Sequence, residues 1–105
     1  MRVFVTGARG YVGRHIVDSL NEAGHEVVAH ARNLPGENDF DEPLAGYAQG
    51  DLCLATGLEE AISGCDVVVH CAARLRASKP SVFNRDNVVA TERLVRIAEG
   101  AGVTR

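Results

Sequence analysis

Thr6-Gly7-Ala8-Arg9-Gly10-Tyr11-Val12-Gly13 is the stretch of sequence that decides the fold. Its three glycines stand three residues apart, between a short apolar run, Arg2 to Thr6, and a segment with helical periodicity. We expect Gly7 to permit a tight turn, Gly10 to let the backbone approach a pyrophosphate and Gly13 to let helix and strand pack closely. The start of that helix then offers free N–H groups and a partial positive charge to phosphates. The alternative is a short loop that uses glycine only for its turn.

Strand and helix signals alternate along the rest of the chain. The predicted strands are Arg2 to Thr6, Glu26 to Ala31, Gly46 to Gln49 and Asp66 to Cys71. The predicted helices are Tyr11 to Ala23, a short helix capped by Thr56-x-x-Glu59 and ended by Gly64, and about Ser81 to Glu99. Their apolar faces are predicted as Val12, Ile16, Leu20 and Ala23 on the first helix, and Val88, Thr91, Leu94, Val95 and Ala98 on the last. Strands alternating with helices predict an α/β fold, a doubly wound parallel sheet covered on both faces.

Length, charge and cysteine content exclude several classes of protein. A chain of 105 residues allows one domain. With 11 basic and 14 acidic residues, it has no basic field for nucleic acid or an anionic membrane. Its apolar runs are far shorter than the roughly 20 residues that span a bilayer, and no signal peptide is apparent, so we expect a cytoplasmic protein. Three cysteines without C-x-x-C spacing favour reduced, core-filling residues over a disulfide framework or a zinc site.

The glycine spacing departs from G-x-G-x-x-G, and it resembles the T-G-x-x-G-x-x-G signature of the extended short-chain dehydrogenases/reductases, the NAD-dependent epimerase/dehydratase family. Three further segments are similar to that family's motifs, in order and in register. Gly50-Asp51-Leu52 resembles its adenine-contacting G-D-L segment. His70-Cys71-Ala72-Ala73 resembles its H-x-A-A segment, whose small residues let the cofactor pass over the end of the fourth strand. Asp86-Asn87-Val88-Val89-Ala90-Thr91 resembles its N-V-x-G-T segment, with alanine in place of the usual glycine.

The resemblance covers essentially the whole chain and implies both a fold and a binding site. The implied fold is a Rossmann-like parallel sheet in strand order 3-2-1-4, with residues 1–105 forming the N-terminal portion of an NAD(P)-binding domain, truncated before a fifth strand. Asn87 would then lie near the nicotinamide half of the cofactor. Taken singly, Asp51 also fits a turn carboxylate, and Asn87 a solvated helix residue. The candidate cofactor-binding residues are Gly7, Arg9, Gly10, Tyr11, Val12, Gly13, Arg32, Asp51, Leu52, Ala72, Ala73 and Asn87.

Cofactor choice depends on the end of the second strand, where a carboxylate would bind an NAD ribose. Ala31 stands there instead, and Arg32 follows it. A guanidinium beside the ribose suits a 2'-phosphate, and Arg9 adds a second cation. The sequence therefore favours NADP, with NAD as the alternative. The other interpretation of the two arginines is that they are solvated surface residues.

Catalysis in the family, by implication, uses a Tyr-x-x-x-Lys pair assisted by a Ser or Thr. Neither Tyr11 nor Tyr47 has a lysine four residues later, and Lys79, the single lysine, has Leu75 four residues before it. We therefore expect no catalytic residue in this chain; in the family these groups lie on elements beyond the point where Arg105 ends it. The four histidines are scattered, and we expect structural roles for them rather than metal binding.

Two hypotheses for function follow. The first is the dinucleotide-binding portion of an NAD(P)-dependent oxidoreductase, epimerase or dehydratase. It would act on a hydroxyl or carbonyl substrate, such as a sugar nucleotide, a steroid-like alcohol or a flavonoid-like ketone, bound only in a longer chain. The second is a non-catalytic NAD(P)-sensing or interaction module. In strand order 3-2-1-4, Val67-Val68-Val69 would form an exposed apolar edge open to self-association, although its unalternating composition suits a central strand.

Overall fold

A computed structural model describes residues 1–33, 39–50, 58–71 and 88–103 of the chain. Within these ranges, the strands are β1 (Arg2–Thr6), β2 (Glu26–Ala31), β3 (Gly46–Gln49) and β4 (Val67–His70). The helices are α1 (Tyr11–Glu22), α2 (Leu58–Ile62) and α3 (Ala90–Gly100). All four predicted strands are present, and β4 is one residue shorter at each end than predicted. The predicted cap of α2 at Thr56 and the predicted start of the last helix at Ser81 lie outside the described residues.

The strands form one sheet in the order β3-β2-β1-β4, and every neighbouring pair is parallel. Val5 aligns with Ala29 of β2 and with Val69 of β4, so β1 is central. This confirms the predicted Rossmann-like sheet and its strand order. Because the strands are parallel, their last residues lie along one edge of the sheet, here called the carboxyl edge and defined by Thr6, Ala31, Gln49 and His70.

Apolar side chains cover both faces of the sheet, as a parallel sheet with crossover helices requires. On one face, Phe4 and Val28 pack with residues of α2 and α3, namely Leu58, Ile62 and Leu94. On the other face, the cluster consists of Val3, Val5, Ala8, Val17, Val27, Ala29 and Phe40. The two central strands therefore hold the core, and alternate residues of each strand serve opposite faces.

The predicted apolar face of α1 is wrong at its two ends, whereas Leu20 packs against the core as predicted. Val12 is 62% exposed, and Ala23 is exposed as well, whereas Gly13 and Val17 are buried. The reason is that Gly13 presses the first turn of the helix against the glycine turn, where any larger residue would collide. That contact fixes the rotation of the helix and turns Val12 toward solvent.

The predicted face of α3 is also partly wrong. Leu94 is only 3% exposed, as expected of that face, because α2 packs beside it. Val95 is 49% exposed and Val88 is exposed too, so these two residues lie outside the buried face. At the sheet edge, all four residues of β4 are partly exposed, since only β1 pairs with this strand in the described sheet.

Candidate functional site

The glycine turn lies at the carboxyl edge, directly between β1 and α1. Gly7 has φ of 63°, a left-handed conformation that favours glycine. The Gly10 N–H donates to the Gly7 carbonyl oxygen at 3.1 Å and closes the turn. The Ala8 N–H donates to the His30 carbonyl oxygen of β2 at 3.0 Å. The turn is thus fixed to the two central strands.

Gly13 and Gly10 differ in what surrounds them. A Cβ atom at Gly13 would overlap the Gly7 carbonyl oxygen and lie 2.9 Å from the Gly7 carbonyl carbon, so the helix packs this closely only on glycine. Among the described residues, a Cβ atom at Gly10 would meet only the Gly7 carbonyl oxygen, at 3.3 Å. The side of Gly10 on which a side chain would stand is otherwise open, which leaves room for a group to approach the backbone.

The N-terminus of α1 opens onto the same space. Gly10 is its N-cap and supplies no side-chain cap, and the first turn of this 12-residue helix contains no acidic residue. Helix geometry leaves the first N–H groups without intrahelical acceptors, and the helix dipole adds a partial positive charge there. A turn with open space at Gly10, followed by N–H groups without intrahelical acceptors, is a geometry that can accommodate an anion such as a pyrophosphate. Tyr11 and Val12 are exposed on this first turn.

Two arginines stand near the same edge. Arg9 is in the glycine turn, and Arg32 follows the end of β2 and is exposed. The Arg9 Nε atom lies 3.5 Å from the Asp39 Oδ2 atom, in an ion pair whose side chains are 45% and 31% exposed. Both arginines are predicted phosphate ligands, and one of them is contacted by a carboxylate of this chain that the sequence did not indicate.

Three polar side chains form a hydrogen-bonded row behind the glycine turn. The Thr6 Oγ1 atom lies 2.7 Å from His70 Nδ1, and His70 Nε2 lies 2.9 Å from Thr91 Oγ1. The Cys71 N–H also donates to Thr6 Oγ1, at 3.1 Å. The row joins the last residues of β1 and β4 to the first turn of α3. Burial lowers the pKa of His70, which favours the neutral imidazole.

His30 holds the end of β3 against β2. Its Nε2 atom lies 2.9 Å from the Gly50 carbonyl oxygen, and because a carbonyl only accepts, Nε2 carries the proton. The side chain is 2% exposed, and its Nδ1 atom has no hydrogen-bond partner among the described residues. Burial lowers the pKa of His30, so the ring is neutral. This contact fixes Gly50, the residue before Asp51.

The structure places seven of the twelve predicted site residues at the carboxyl edge. Six of them lie in the glycine turn and the first turn of α1, namely Gly7, Arg9, Gly10, Tyr11, Val12 and Gly13, and Arg32 follows β2 at the same edge. The remaining five, Asp51, Leu52, Ala72, Ala73 and Asn87, lie outside the described residues. In the described ranges, no three His, Cys, Asp or Glu side chains are grouped closely enough to hold a metal ion. Nor does any helix there have the length and apolarity to cross a membrane.

Sequence reasoning missed the contacts of several polar residues at this edge. Thr6, His70 and Thr91 all stand in the quoted motifs, so a signal existed, but nothing in their spacing showed that they meet. His30 stands in an apolar strand, where a histidine without a charged neighbour gives no positional signal. Asp39 stands in a polar loop and gave none at all.

A four-stranded parallel sheet in this order, with a glycine turn and a helix N-terminus at its carboxyl edge, defines a Rossmann-like nucleotide-binding fold. Residues 3–105 match the model of the NAD dependent epimerase/dehydratase family. The chain therefore belongs to that family.

Individual relatives agree with this assignment. The chain is 38% identical, over 90% of its length, to a protein of Dictyostelium discoideum described as a decarboxylating sterol-4-alpha-carboxylate 3-dehydrogenase. It superimposes with a TM-score of 0.80 and 30% identity, over its full length, on a short-chain dehydrogenase/reductase superfamily protein of Agrobacterium tumefaciens with bound NAD. For MoeE5 in complex with UDP-glucuronic acid and NAD, the TM-score is 0.78 and the identity 34%, again over the full chain.

The match covers only part of each relative. The chain spans 30% of the sterol dehydrogenase, 31% of the Agrobacterium protein and 35% of MoeE5. It thus corresponds to about a third of the length of these proteins.

Proposed function

We propose that this chain forms the dinucleotide-binding part of an NAD(P)-dependent oxidoreductase, epimerase or dehydratase. The observation that carries the proposal is the glycine turn, in which Gly7 has a positive φ and a side chain at Gly13 would collide with the turn. Its position before the uncapped N-terminus of α1 gives the chain a rigid, electropositive site for a pyrophosphate. Membership of the epimerase/dehydratase family supports the same assignment.

The residues would share the work as follows. Gly7 and Gly13 shape the turn, and the open side of Gly10 admits the pyrophosphate to the N–H groups of Tyr11 and Val12. By resemblance, Asp51 accepts a hydrogen bond from the adenine amino group, with Leu52 beside it; Ala72 and Ala73 leave room for the cofactor, and Asn87 lies near the nicotinamide. When bound, the nicotinamide ring donates or accepts a hydride.

For the cofactor, we favour NADP over NAD. Ala31 places no carboxylate at the end of β2, and Arg32 and Arg9 stand near the edge where an adenosine ribose would lie. A guanidinium binds a phosphate through charge-assisted hydrogen bonds, and each such contact is worth about 1.5 to 3 kcal/mol when partly desolvated. NAD remains the alternative, because the Agrobacterium protein and MoeE5 are both described with NAD.

The substrate of the whole protein is proposed only by class. The Dictyostelium relative is named for a sterol carboxylate, and MoeE5 is described with UDP-glucuronic acid. We therefore propose a sterol-like alcohol or a sugar nucleotide, either of which presents the hydroxyl or carbonyl group that hydride chemistry needs. Since the 105 residues contain no Tyr-x-x-x-Lys pair, we expect the chain alone to bind the dinucleotide without transferring hydride.

Calorimetric titration of the chain with NADPH and with NADH tests the binding proposal. We expect Gly10→Val to abolish binding of both, because the branched side chain would fill the open side of the turn. Gly100→Val is the matched control, since a Cβ at Gly100 meets no described residue within 4 Å and Gly100 lies at the far end of α3. Unchanged binding by a folded Gly10→Val variant would mean that the turn is purely structural.

A further substitution tests the cofactor preference. Arg32→Ala is expected to weaken NADPH binding and to leave NADH binding nearly unchanged, because only NADPH carries the 2'-phosphate. Equal affinity of the wild-type chain for the two cofactors, or equal losses in the variant, would contradict the preference for NADP.

A further inference from the structure

From the contact between Asp39 and Arg9 we infer that Asp39 is a specificity-determining residue, which lowers the affinity for a 2'-phosphorylated dinucleotide relative to an unphosphorylated one. The inference rests on the proposed dinucleotide site and concerns a residue that no motif of the sequence singles out. It does not depend on which cofactor the wild-type chain prefers.

The position of Asp39 is fixed by its neighbours in the chain. Phe40 is buried in the cluster formed by α1, β1 and β2, and its ring lies 6.3 Å from that of Tyr47 in a stacked arrangement. The Asp41 N–H donates to the Asp18 Oδ1 atom of α1 at 3.1 Å. The chain is thus attached to α1 and β3 immediately after Asp39, and this attachment holds the Asp39 carboxylate beside the glycine turn.

The Arg9 guanidinium is the group over which the two anions would compete. Its Nε atom lies 3.5 Å from Asp39 Oδ2, and both side chains are partly exposed. A 2'-phosphate at this edge would bind the same guanidinium. The phosphate must then either displace the Asp39 carboxylate from Arg9 or lie close to it, where the two negative charges repel each other. An unphosphorylated ribose presents a neutral hydroxyl group there, and this hydroxyl can donate a hydrogen bond to the Asp39 carboxylate. Asp39 therefore lowers the affinity for the phosphorylated cofactor and does not lower the affinity for the unphosphorylated one.

The size of the effect follows from the exposure of the pair. Partly exposed ion pairs are worth little in free energy, because solvent screens them. Release of Arg9 together with removal of one negative charge should raise the affinity ratio, NADPH over NADH, about threefold to tenfold.

Asp39→Asn is the test, with both dissociation constants measured by calorimetry on the chain. Asp41→Asn is the matched control: it removes the same charge two residues away, while the contact that Asp41 makes to Asp18 uses its backbone N–H. We expect Asp39→Asn to raise the affinity ratio of NADPH over NADH, and Asp41→Asn to leave this ratio within about twofold of the wild-type value. In an Arg9→Gln background, Asp39→Asn should no longer raise the affinity ratio of NADPH over NADH, because the cation for which the carboxylate and the 2'-phosphate compete is gone. Circular dichroism confirms that each variant is folded, and Asp39→Ser repeats the test if the Asn variant is not.

The outcomes separate this inference from the function on which it rests. If the wild-type chain binds neither dinucleotide, the proposed function fails and the inference falls with it. If both bind and Asp39→Asn leaves their ratio unchanged, the inference alone is wrong. Equal increases in Asp39→Asn and Asp41→Asn would also overturn it, because the cause would then be the net charge of the loop and not the pairing with Arg9.

Discussion

Gly13 shows how one missing side chain determines where a helix lies. Its Cα faces the Gly7 carbonyl group, and even a methyl group there would overlap the oxygen. We predict that Gly13→Ala destabilises the chain by about 1 to 3 kcal/mol or more, since the overlapping atom is backbone and cannot rotate away. Urea unfolding followed by circular dichroism measures this.

Gly100→Ala is the control for that substitution. Gly100 lies at the end of α3 with open space around it, so alanine there should be neutral or stabilise by up to about 1 kcal/mol. Equal effects of the two alanines would show that α1 does not need its close approach to the turn.

From the burial of His30 we predict that the free energy of unfolding decreases at acidic pH. Burial lowers its pKa below the ordinary value of 6.5, and a proton on Nδ1 would place a charge at a buried atom without a partner among the described residues. Below pH 6.5 the unfolded chain binds a proton that the folded chain does not. The free energy of unfolding should therefore fall as the pH falls through this range, by at most about 1.4 kcal/mol per pH unit for one such group.

Urea unfolding at about pH 7.5 and about pH 5 tests this expectation. His30→Phe should reduce the pH dependence, although it also removes the hydrogen bond to Gly50. His15→Phe, on the exposed surface of α1, is the control and should leave the dependence in place. Identical slopes for His30→Phe and the wild type would assign the acid sensitivity elsewhere, with His70 as the next residue to replace, because burial lowers its pKa too.

At the scale of the elements, a row of hydrogen-bonded side chains joins α3 to the carboxyl edge, in addition to the apolar contacts that α3 makes with the sheet. His70 at the end of β4 reaches Thr6 of β1 on one side and Thr91 of α3 on the other. We predict that Thr91→Val, which keeps the shape and removes the hydroxyl, destabilises the chain by about 1 to 3 kcal/mol, because it leaves a part-buried imidazole nitrogen unpaired.

Thr91→Ser separates the hydroxyl from the methyl group. It retains the hydrogen bond to His70 and should lose less stability than Thr91→Val, as measured by urea unfolding. If the valine variant is as stable as the wild type, the row contributes nothing to holding α3 at the sheet.

At the scale of the whole molecule, β4 is one of the two edge strands of the described sheet, and the more apolar of the two. Its three valines are each partly exposed, whereas the corresponding residues of β1 are buried. An apolar edge strand with unpaired backbone groups favours pairing with another chain. We therefore predict that the 105-residue chain self-associates with increasing concentration, as measured by size-exclusion chromatography with light scattering and thermal melting. A soluble monomer with a sharp melting transition over the whole concentration range would contradict this.

The order of elements, the fold class and the position of the glycine turn between β1 and α1 could be predicted because they depend on local signals. The strand signals and the spacing from Gly7 to Gly13 each arise within a few residues. The strand order came from the family resemblance, and the sheet confirms it.

What only the tertiary structure decided is how the elements meet. The rotation of α1 depends on the collision at Gly13, which is why Val12 points to solvent, and the burial of Leu94 depends on α2 lying beside it. The pairing of Arg9 with Asp39 and the row from Thr6 through His70 to Thr91 join residues that are far apart in the chain. Hydrophobic periodicity describes the face of a single element, but a contact between elements depends on the distance and rotation that packing imposes, and neither is written in the spacing of residues.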